Sequence, residues 1–299
     1  RKGPNRVGYA GILQPIADSI KLLNKEIIIP FNADKLLFLI APILVLTPAF
    51  AVWAVIPFDD KLILANINVG ILYILAIASF GIYGILLAGW SSNSRYAMLG
   101  ALRASAQVIS YELAMSFAVI GVIMAANSLN LQQIIHAQSG GVWHWFFIPL
   151  FPLFIIYFIC AVAETNRVPF DISEGESELV AGFHVEYSSI SFALFFLGEY
   201  LNMIFLSALA SLFFLGGYLS PFEGIPLLGH FFSFIPGFMW FFLKTAIFLF
   251  MYLWLMATYP RYRYDQLMRL GWKILLPITL IYLPLECLAI TFKLAPWFN

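Results

Sequence analysis

Residues 163–187 read AETNRVPFDISEGESELVAGFHVEY and separate two long apolar runs. The stretch holds a single base, Arg167, among six carboxylates. The carboxylates are Glu164, Asp171, Glu174, Glu176, Glu178 and Glu186. Carboxylates this close repel one another, so the cluster persists only where partners, water or shared protons relieve it. Between membrane spans, such a cluster indicates proton or charge handling.

The composition around this stretch is that of a membrane protein. The chain is 62% hydrophobic and 11% charged, whereas soluble domains carry about 25% charged residues. Its formal net charge is zero, which gives no basic face for nucleic acid. Cys160 and Cys287 lie in apolar runs and are interpreted as small hydrophobic residues. No metal-binding or iron–sulfur motif occurs, so we expect no metal site.

The apolar runs predict an all-α, polytopic bundle of transmembrane helices, because about 20 apolar residues cross a bilayer. We count seven spans, at about 36–57, 67–90, 102–126, 145–163, 188–217, 237–259 and 274–292. We expect a single membrane domain over residues 1–299. The chain begins RKGPN without Met, so we also expect a segment to precede it.

The basic residues are distributed unequally between the two sides of these spans. Thirteen lie on the side of the N-terminus, called here the basic side, whereas Lys61 and Lys293 lie on the opposite side. This bias predicts that the basic side faces the cytoplasm or the mitochondrial matrix. The basic side then carries the segment 1–35, the acidic loop 164–187 and a basic loop at 260–273.

Residues 12–25 predict a short amphipathic helix that lies in the membrane interface. Leu13, Ile16, Ile20 and Leu23 share one helical stripe, and polar residues occupy another. Two interpretations stay open. The helix is either a surface anchor or a doorway for an amphipathic ligand that enters from the lipid.

Four charged residues lie well inside the predicted spans: Glu112, Glu199, Glu286 and Lys244. Charges in such positions are costly and mark functional sites. Similar depths predict that the three carboxylates build a buried polar row. Lys244 and Glu286 are predicted to form a structural pair, although Lys244 has the alternative of extending to its nearer surface.

The loops of the basic side carry the remaining candidates. Asp171, Glu174 and Glu178 would share one face of a partly helical acidic loop. The arginines of the basic loop, Arg261, Arg263 and Arg269, either pair with these carboxylates or dock a partner or lipid headgroups. His184, beside Glu186, is either a titrating group or a packed side chain.

Six motifs together resemble chain 1 of NADH–ubiquinone oxidoreductase, the membrane subunit of respiratory complex I beside its quinone site. They are RKGPNRVG at 1–8, ILQPIADSIKLLNKE at 12–26, GWSSNSRYAMLGALRASAQVISYEL at 89–113, AETNRVPFDISEGESELVAGFHVEYSS at 163–189, ALFFLGEYLNM at 193–203 and YPRYRYDQLMRLGWK at 259–273. The family has eight spans, which implies that the first precedes RKGPN.

The resemblance implies a tunnel for ubiquinone, with the amphipathic helix at its membrane doorway. It implies quinone-tunnel and coupling roles for Arg6, Glu164, Arg167, Asp171, Glu174, Glu176, Glu178 and Glu186. It implies a buried charge relay of Arg103, Glu112 and Glu199. No catalytic residue, metal or flavin is expected on this chain. His184 stands where the family often has an amide.

The resemblance also implies partners and a location. The partners are peripheral-arm iron–sulfur subunits at the quinone cleft, small membrane subunits, antiporter-like subunits and lipids. The location is the mitochondrial inner membrane, with a bacterial plasma membrane as the alternative. Two other functions stay open at this point: the membrane subunit of a related ion-pumping hydrogenase, and a stand-alone proton-coupled transporter.

Overall fold

The computed structural model describes residues 3–171, 181–224, 232 and 234–293. Within these ranges the regular elements are helices, and none is a strand. In chain order they are α1 Gln14–Asn24, α2 Lys35–Ala51, α3 Gly70–Ser91, α4 Arg95–Ala126, α5 Leu131–His136, α6 Phe151–Glu164, α7 Ser189–Phe214, α8 Gly237–Thr258, α9 Tyr264–Leu270 and α10 Leu276–Thr291. The predicted all-α bundle is confirmed.

Six helical segments in this part of the chain are long and apolar enough to cross a membrane, and α6 is a shorter apolar helix. The fourth predicted span, 145–163, is therefore only partly helical. Its helix begins at Phe151, directly before Pro152, and proline is favoured in a first turn because it has no N–H to leave unpaired. Residues before it form turns and a short 3₁₀ helix, Val142–His144.

The last span begins earlier than predicted. The helix starts at Tyr264 and continues through a π-helical turn, Gly271–Leu275, into α10. Much of the predicted basic loop 260–273 is thus helical. The start is favoured locally, because the Gln266 side chain accepts a hydrogen bond from the Arg263 backbone N–H at 3.3 Å.

Helix α4 is the centre of the bundle. It packs against α3, α6 and α10, and its basic end contacts the 3₁₀ turn Gly182–His184. Its 32 residues correspond to about 48 Å, which exceeds the hydrocarbon thickness of about 30 Å. Helix α4 is therefore longer than one crossing of the apolar layer requires.

Backbone hydrogen bonds define the two ends of the bundle. At the basic end, the Asp34 N–H donates to the Ser91 carbonyl oxygen, and the Tyr262 N–H donates to that of Pro169. At the opposite end, the Ile71 N–H donates to the Leu129 carbonyl oxygen, and the Phe147 N–H donates to that of Phe214. The spans therefore alternate in direction, as the sequence predicts.

The predicted amphipathic helix is confirmed as α1, and each of its residues is at least partly exposed. It is fixed to the start of α7. The Ser189 hydroxyl lies 3.0 Å from the Leu22 carbonyl oxygen and 2.5 Å from that of Lys25. Ser188 Oγ accepts a hydrogen bond from the Ile28 N–H at 3.0 Å. The surface helix is thus joined to the span that carries Glu199.

Candidate functional site

Glu164, the last residue of α6, is the centre of the candidate site. Its side chain lines three neighbouring internal cavities. Its Oε2 atom is buried and has no hydrogen-bond partner among the described residues. A buried polar atom left in this state carries a free-energy cost unless water or another group satisfies it. The Glu164 carboxyl group therefore lies where the cavities meet, with one oxygen atom unpaired among the described residues.

Glu112 lines one of these cavities together with Glu164 and Tyr157. It lies near the middle of α4, where the Ser79 hydroxyl of α3 donates a hydrogen bond to its Oε1 atom. Ser79 Oγ also lies 2.8 Å from the Leu75 carbonyl oxygen within α3. One hydroxyl thus joins the second carboxyl group of the site to the neighbouring helix.

Glu199 of α7 lines another of the cavities with Glu164. Arg167 Nη2 lies 3.8 Å from Glu199 Oε2, and the Arg167 guanidinium lies 4.3 Å from the centre of the Tyr200 ring. The side chains of Arg167 and Glu199 are 20% and 13% exposed. In this shielded setting the pair interacts more strongly than a surface salt bridge would.

The cavities are sized for water. The one shared by Glu164 and Glu199 leaves about 50 Å³ for the centre of a water-sized molecule, and the one shared with Glu112 leaves about 20 Å³. A single water needs roughly 10–15 Å³ by this measure. Glu164 and Glu199 therefore border room for a few waters, and Glu164 and Glu112 border room for about one.

A buried glutamine fixes the chain that leaves α6. Gln107 of α4 is fully buried, and its Nε2 atom donates to the carbonyl oxygens of Ala163 at 2.8 Å and Phe170 at 2.9 Å. Both bonds are to backbone, so they hold the segment independently of its side chains. The positions of Glu164 and Arg167 follow from this attachment to α4.

The same segment is tied to the basic loop. Asp171 Oδ2 lies 2.9 Å from Arg261 Nη2, and the rings of Phe170 and Tyr262 stack with their centres 5.5 Å apart. The carboxylate of Asp171 is 9% exposed. One of the two predicted roles of the basic loop, pairing with the acidic loop, is therefore observed for Arg261.

The turn that follows the acidic loop is closely packed. A Cβ atom at Gly100 would lie 2.7 Å from Gly182 Cα, and Gly182 has a φ angle of +65°. His184 is buried against phenylalanine rings, and burial lowers its pKa to about 4. Tyr187 stacks on Phe38 with ring centres 4.0 Å apart, and burial raises its pKa to about 12. Of the two interpretations of His184, the packed side chain fits this environment.

The other predicted site residues are distributed around this centre. Arg103 lies 5.7 Å from the centre of the Tyr264 ring, Glu186 is half-buried and Arg6 is exposed. Glu174, Glu176 and Glu178 lie outside the described residues, as does the predicted helical face of the acidic loop.

The predicted pair of Lys244 and Glu286 is not formed. Lys244 Nζ donates to three backbone carbonyl groups. Both oxygen atoms of Glu286 lack a hydrogen-bond partner within the described part of the chain. The reason is helix packing, because α8 packs against α7, whereas α10 packs against α4.

Glu286 also stands apart from the predicted carboxylate row. Because the helix begins at Tyr264, Glu286 lies five residues before its end at Thr291, and a Cβ atom at Gly121 would lie 2.7 Å from its Oε2 atom. Glu112 and Glu199 are instead joined by Glu164.

Sequence reasoning did not identify Gln107 or Ser79 as partners of the site, since only tertiary packing brings them to it.

Within the described ranges, no group of three or more His, Cys, Asp or Glu side chains is placed to hold a metal ion. The geometry thus presents a membrane-embedded set of carboxyl groups joined by water-sized cavities. A family model described as NADH dehydrogenase matches residues 1–286.

Proposed function

This chain belongs to the NADH dehydrogenase family of complex I membrane subunits, and we propose that it couples quinone reduction to proton translocation. In this proposal it is a subunit of an H⁺-translocating NADH:ubiquinone reductase and borders the path of ubiquinone. Family membership implies association with other complex I subunits. The single observation that carries the proposal is the junction of three cavities at Glu164, which joins Glu112 to Glu199.

The quinone path is proposed for the basic side of the bundle. Helix α1 lies at the surface with apolar side chains exposed, including Ile16, Ile20 and Leu23. Such a helix suits the membrane interface and a doorway for a ligand with a long apolar tail. The path would continue toward the segment after α6, where Arg167, Asp171 and the acidic loop border a cleft shared with peripheral-arm subunits that hold the iron–sulfur relay.

The proposed coupling follows from charge balance. Ubiquinone takes up two electrons, which in this proposal come from the partner subunits, and two protons, and is released as ubiquinol. Any charge that appears beside the carboxyl groups during this reaction changes their proton affinities. Because Glu164 faces the cavities of both Glu112 and Glu199, a proton gained or lost there has a water-sized route to either.

The ion pair of Arg167 and Glu199 offers a second means of transmission. Their closest atoms are 3.8 Å apart, which is longer than a charge-assisted hydrogen bond of about 2.7–2.9 Å. Arg167 follows Glu164 by three residues and responds to the same charge. A shift of this guanidinium toward or away from Glu199 would transmit a change of charge near Glu164 to helix α7.

The proposed location is the mitochondrial inner membrane, with the basic side facing the matrix. The apolar helices and the family indicate a multi-pass membrane protein. The excess of basic residues on the basic side of the spans supports this orientation. In this proposal the exposed apolar side chains of the spans contact lipids, small membrane subunits and antiporter-like subunits.

A photoreactive ubiquinone analogue tests the proposed path in the assembled complex. Labelling within residues 1–26 and 164–187 that excess ubiquinone suppresses is the expected result. Labelling confined to the opposite side of the bundle, near residues 56–69 or 127–150, would exclude the path. Copurification with a nickel centre rather than a flavin-containing NADH module would instead assign the chain to an ion-pumping hydrogenase.

A further inference from the structure

Lys244 is a buried cation that contacts carbonyl groups and an aromatic ring. The residue is 4% exposed. Its Nζ atom lies 2.6 Å from the Leu215 carbonyl oxygen, 2.8 Å from that of Gly217 and 2.7 Å from that of Leu219. It also lies 4.2 Å from the centre of the Trp145 ring. These four groups define what we call the carbonyl cage.

The number of acceptors in the cage matches an ammonium group. An ammonium has three N–H donors, and each of the three carbonyl oxygens lies at hydrogen-bonding distance. A neutral amine has two N–H donors and would leave one of these short contacts without a proton. The face of an indole ring attracts cations, and the cage lies at the C-terminal end of α7, where the helix dipole favours positive charge.

Two glycines shape the turn that presents the carbonyl groups. Gly216 and Gly217 have φ angles of +66° and +50°. A Cβ atom at Gly216 would lie 2.9 Å from Trp145 Nε1, and one at Gly217 would lie 2.7 Å from Leu212 Cδ2. The left-handed backbone favours glycine at both positions. The sequence thus specifies a turn whose carbonyl groups converge on one point.

A second side chain holds this turn from another direction. Gln138 is fully buried, and its Oε1 atom accepts hydrogen bonds from the Gly216 N–H at 3.0 Å and the Phe146 N–H at 3.3 Å. Its Nε2 atom donates to the Leu212 carbonyl oxygen at 2.9 Å. The cage is therefore held to the loop before α6 without the help of Lys244.

We propose that residues 215–219 and Trp145 form a binding site for an ammonium-type monovalent cation, which the chain fills with its own Lys244. The occupied site fixes α8 to the end of α7 and to the loop before α6. It is a structural site on the opposite side of the bundle from the acidic loop, and it does not depend on the proposed quinone path.

Chemical rescue of Lys244→Ala in the whole complex tests this site. The substitution keeps Cβ, removes the three carbons beyond it together with the ammonium (a propylammonium equivalent), and leaves the cage open. We expect assembled complex in membranes to fall about tenfold or more, because three buried carbonyl groups lose their donor. Propylammonium supplied during growth should restore at least half of the loss. Tetramethylammonium has the same charge without an N–H donor and should restore none.

Two further variants separate charge from packing. Lys244→Met fills the same space without a charge, so it should lose assembly equally and should not respond to propylammonium. Trp145→Phe keeps an aromatic face and should respond to the amine in the Lys244→Ala background, whereas Trp145→Leu should respond less. The proposal is overturned if Lys244→Met assembles like the wild type, if propylammonium restores nothing, or if tetramethylammonium restores as much.

Discussion

Asp171 and Arg261 form a short ion pair, with Oδ2 and Nη2 2.9 Å apart. It joins the segment after α6 to the segment before α9, so two loops distant in sequence form one wall on the basic side. The carboxylate is nearly buried, whereas the guanidinium is about half exposed. The ion pair therefore joins a shielded carboxylate to an arginine that water reaches.

Arg261→Gln should weaken this wall more than a surface substitution would. Loss of a hydrogen bond to a buried charged group costs about 1.5–3 kcal/mol, so the midpoint of heat inactivation of the purified complex should fall. Arg263→Gln is the matched control, because Arg263 pairs only loosely, at 3.4 Å, with an exposed Asp265. Equal heat inactivation of the two variants would show that the ion pair does not hold the wall.

Because of His184, the free energy of unfolding should decrease as the pH is lowered. Burial lowers its folded-state pKa from 6.5 to about 4. Below pH 6.5 the unfolded chain therefore binds a proton that the folded chain does not, and stability decreases until about pH 4. The full effect is on the order of 3 kcal/mol, and above pH 6.5 it is absent.

His184→Asn should remove this component of the pH dependence. Heat inactivation of the purified variant and wild-type complexes, followed from pH 8 to pH 4, is the measurement. The two curves should run in parallel above about pH 6.5 and diverge below it. Parallel curves over the whole range would mean that His184 does not stay neutral in the folded protein.

Gly100→Ala should disturb the contact between α4 and the turn Gly182–His184. The new Cβ atom would lie within 2.7–2.9 Å of backbone atoms of Gly182 and Phe183, and backbone cannot rotate away as a side chain would. The yield of assembled complex should fall, as is typical of overpacking that costs about 1–3 kcal/mol. Gly271→Ala is the control, since its Cβ atom would make ordinary contacts of 3.7 Å or longer. Similar yields for both variants would contradict the close packing.

Ser79→Ala should slow coupled turnover without preventing assembly. The change removes the hydroxyl that donates to Glu112 and leaves the helix backbone unchanged. A loss of up to about tenfold in quinone-dependent proton pumping corresponds to ~1.4 kcal/mol. Ser207→Ala is the matched control, because the hydrogen bond of the Ser207 hydroxyl within the described part of the chain is to the Met203 carbonyl of its own helix. Unchanged pumping in Ser79→Ala would remove this hydrogen bond from the coupling route.

The fold class was predictable because apolar runs and basic residues report directly on membrane crossing. Helix ends were less predictable. Tyr264 begins the last span within a loop that is rich in arginine, since the local hydrogen bond of Gln266 to Arg263 starts a helix there. Pro152 delays the fourth span for an equally local reason. Each of these local features involves only a few residues, whereas the apolar pattern that predicts a span extends over about 20 residues. The apolar pattern therefore does not show where the helix begins.

The candidate site was predictable in its residues but not in its connections. Glu112 and Glu199 are identified by charge inside apolar sequence and Glu164 by the acidic stretch, yet depth alone groups Glu286, and not Glu164, with the first two. Which carboxyl groups meet is decided by helix packing. Lys244 shows the same limit. Its partners are backbone carbonyl groups of a glycine turn, whereas the sequence suggests either Glu286 as a charged partner or an extension of the side chain to the nearer surface.

Glu164→Gln in the assembled complex is the most direct test of coupling through the cavity junction. The measurement compares NADH-driven ubiquinone reduction and proton pumping with NADH oxidation by an artificial acceptor that does not use the quinone site. We predict a loss of at least about tenfold, or ~1.4 kcal/mol, in the first two activities, with the third and assembly unchanged. Asp265→Asn, a change at an exposed carboxylate that pairs loosely with the exposed Arg263, should change none of them. Wild-type quinone reduction and pumping in Glu164→Gln would contradict the account.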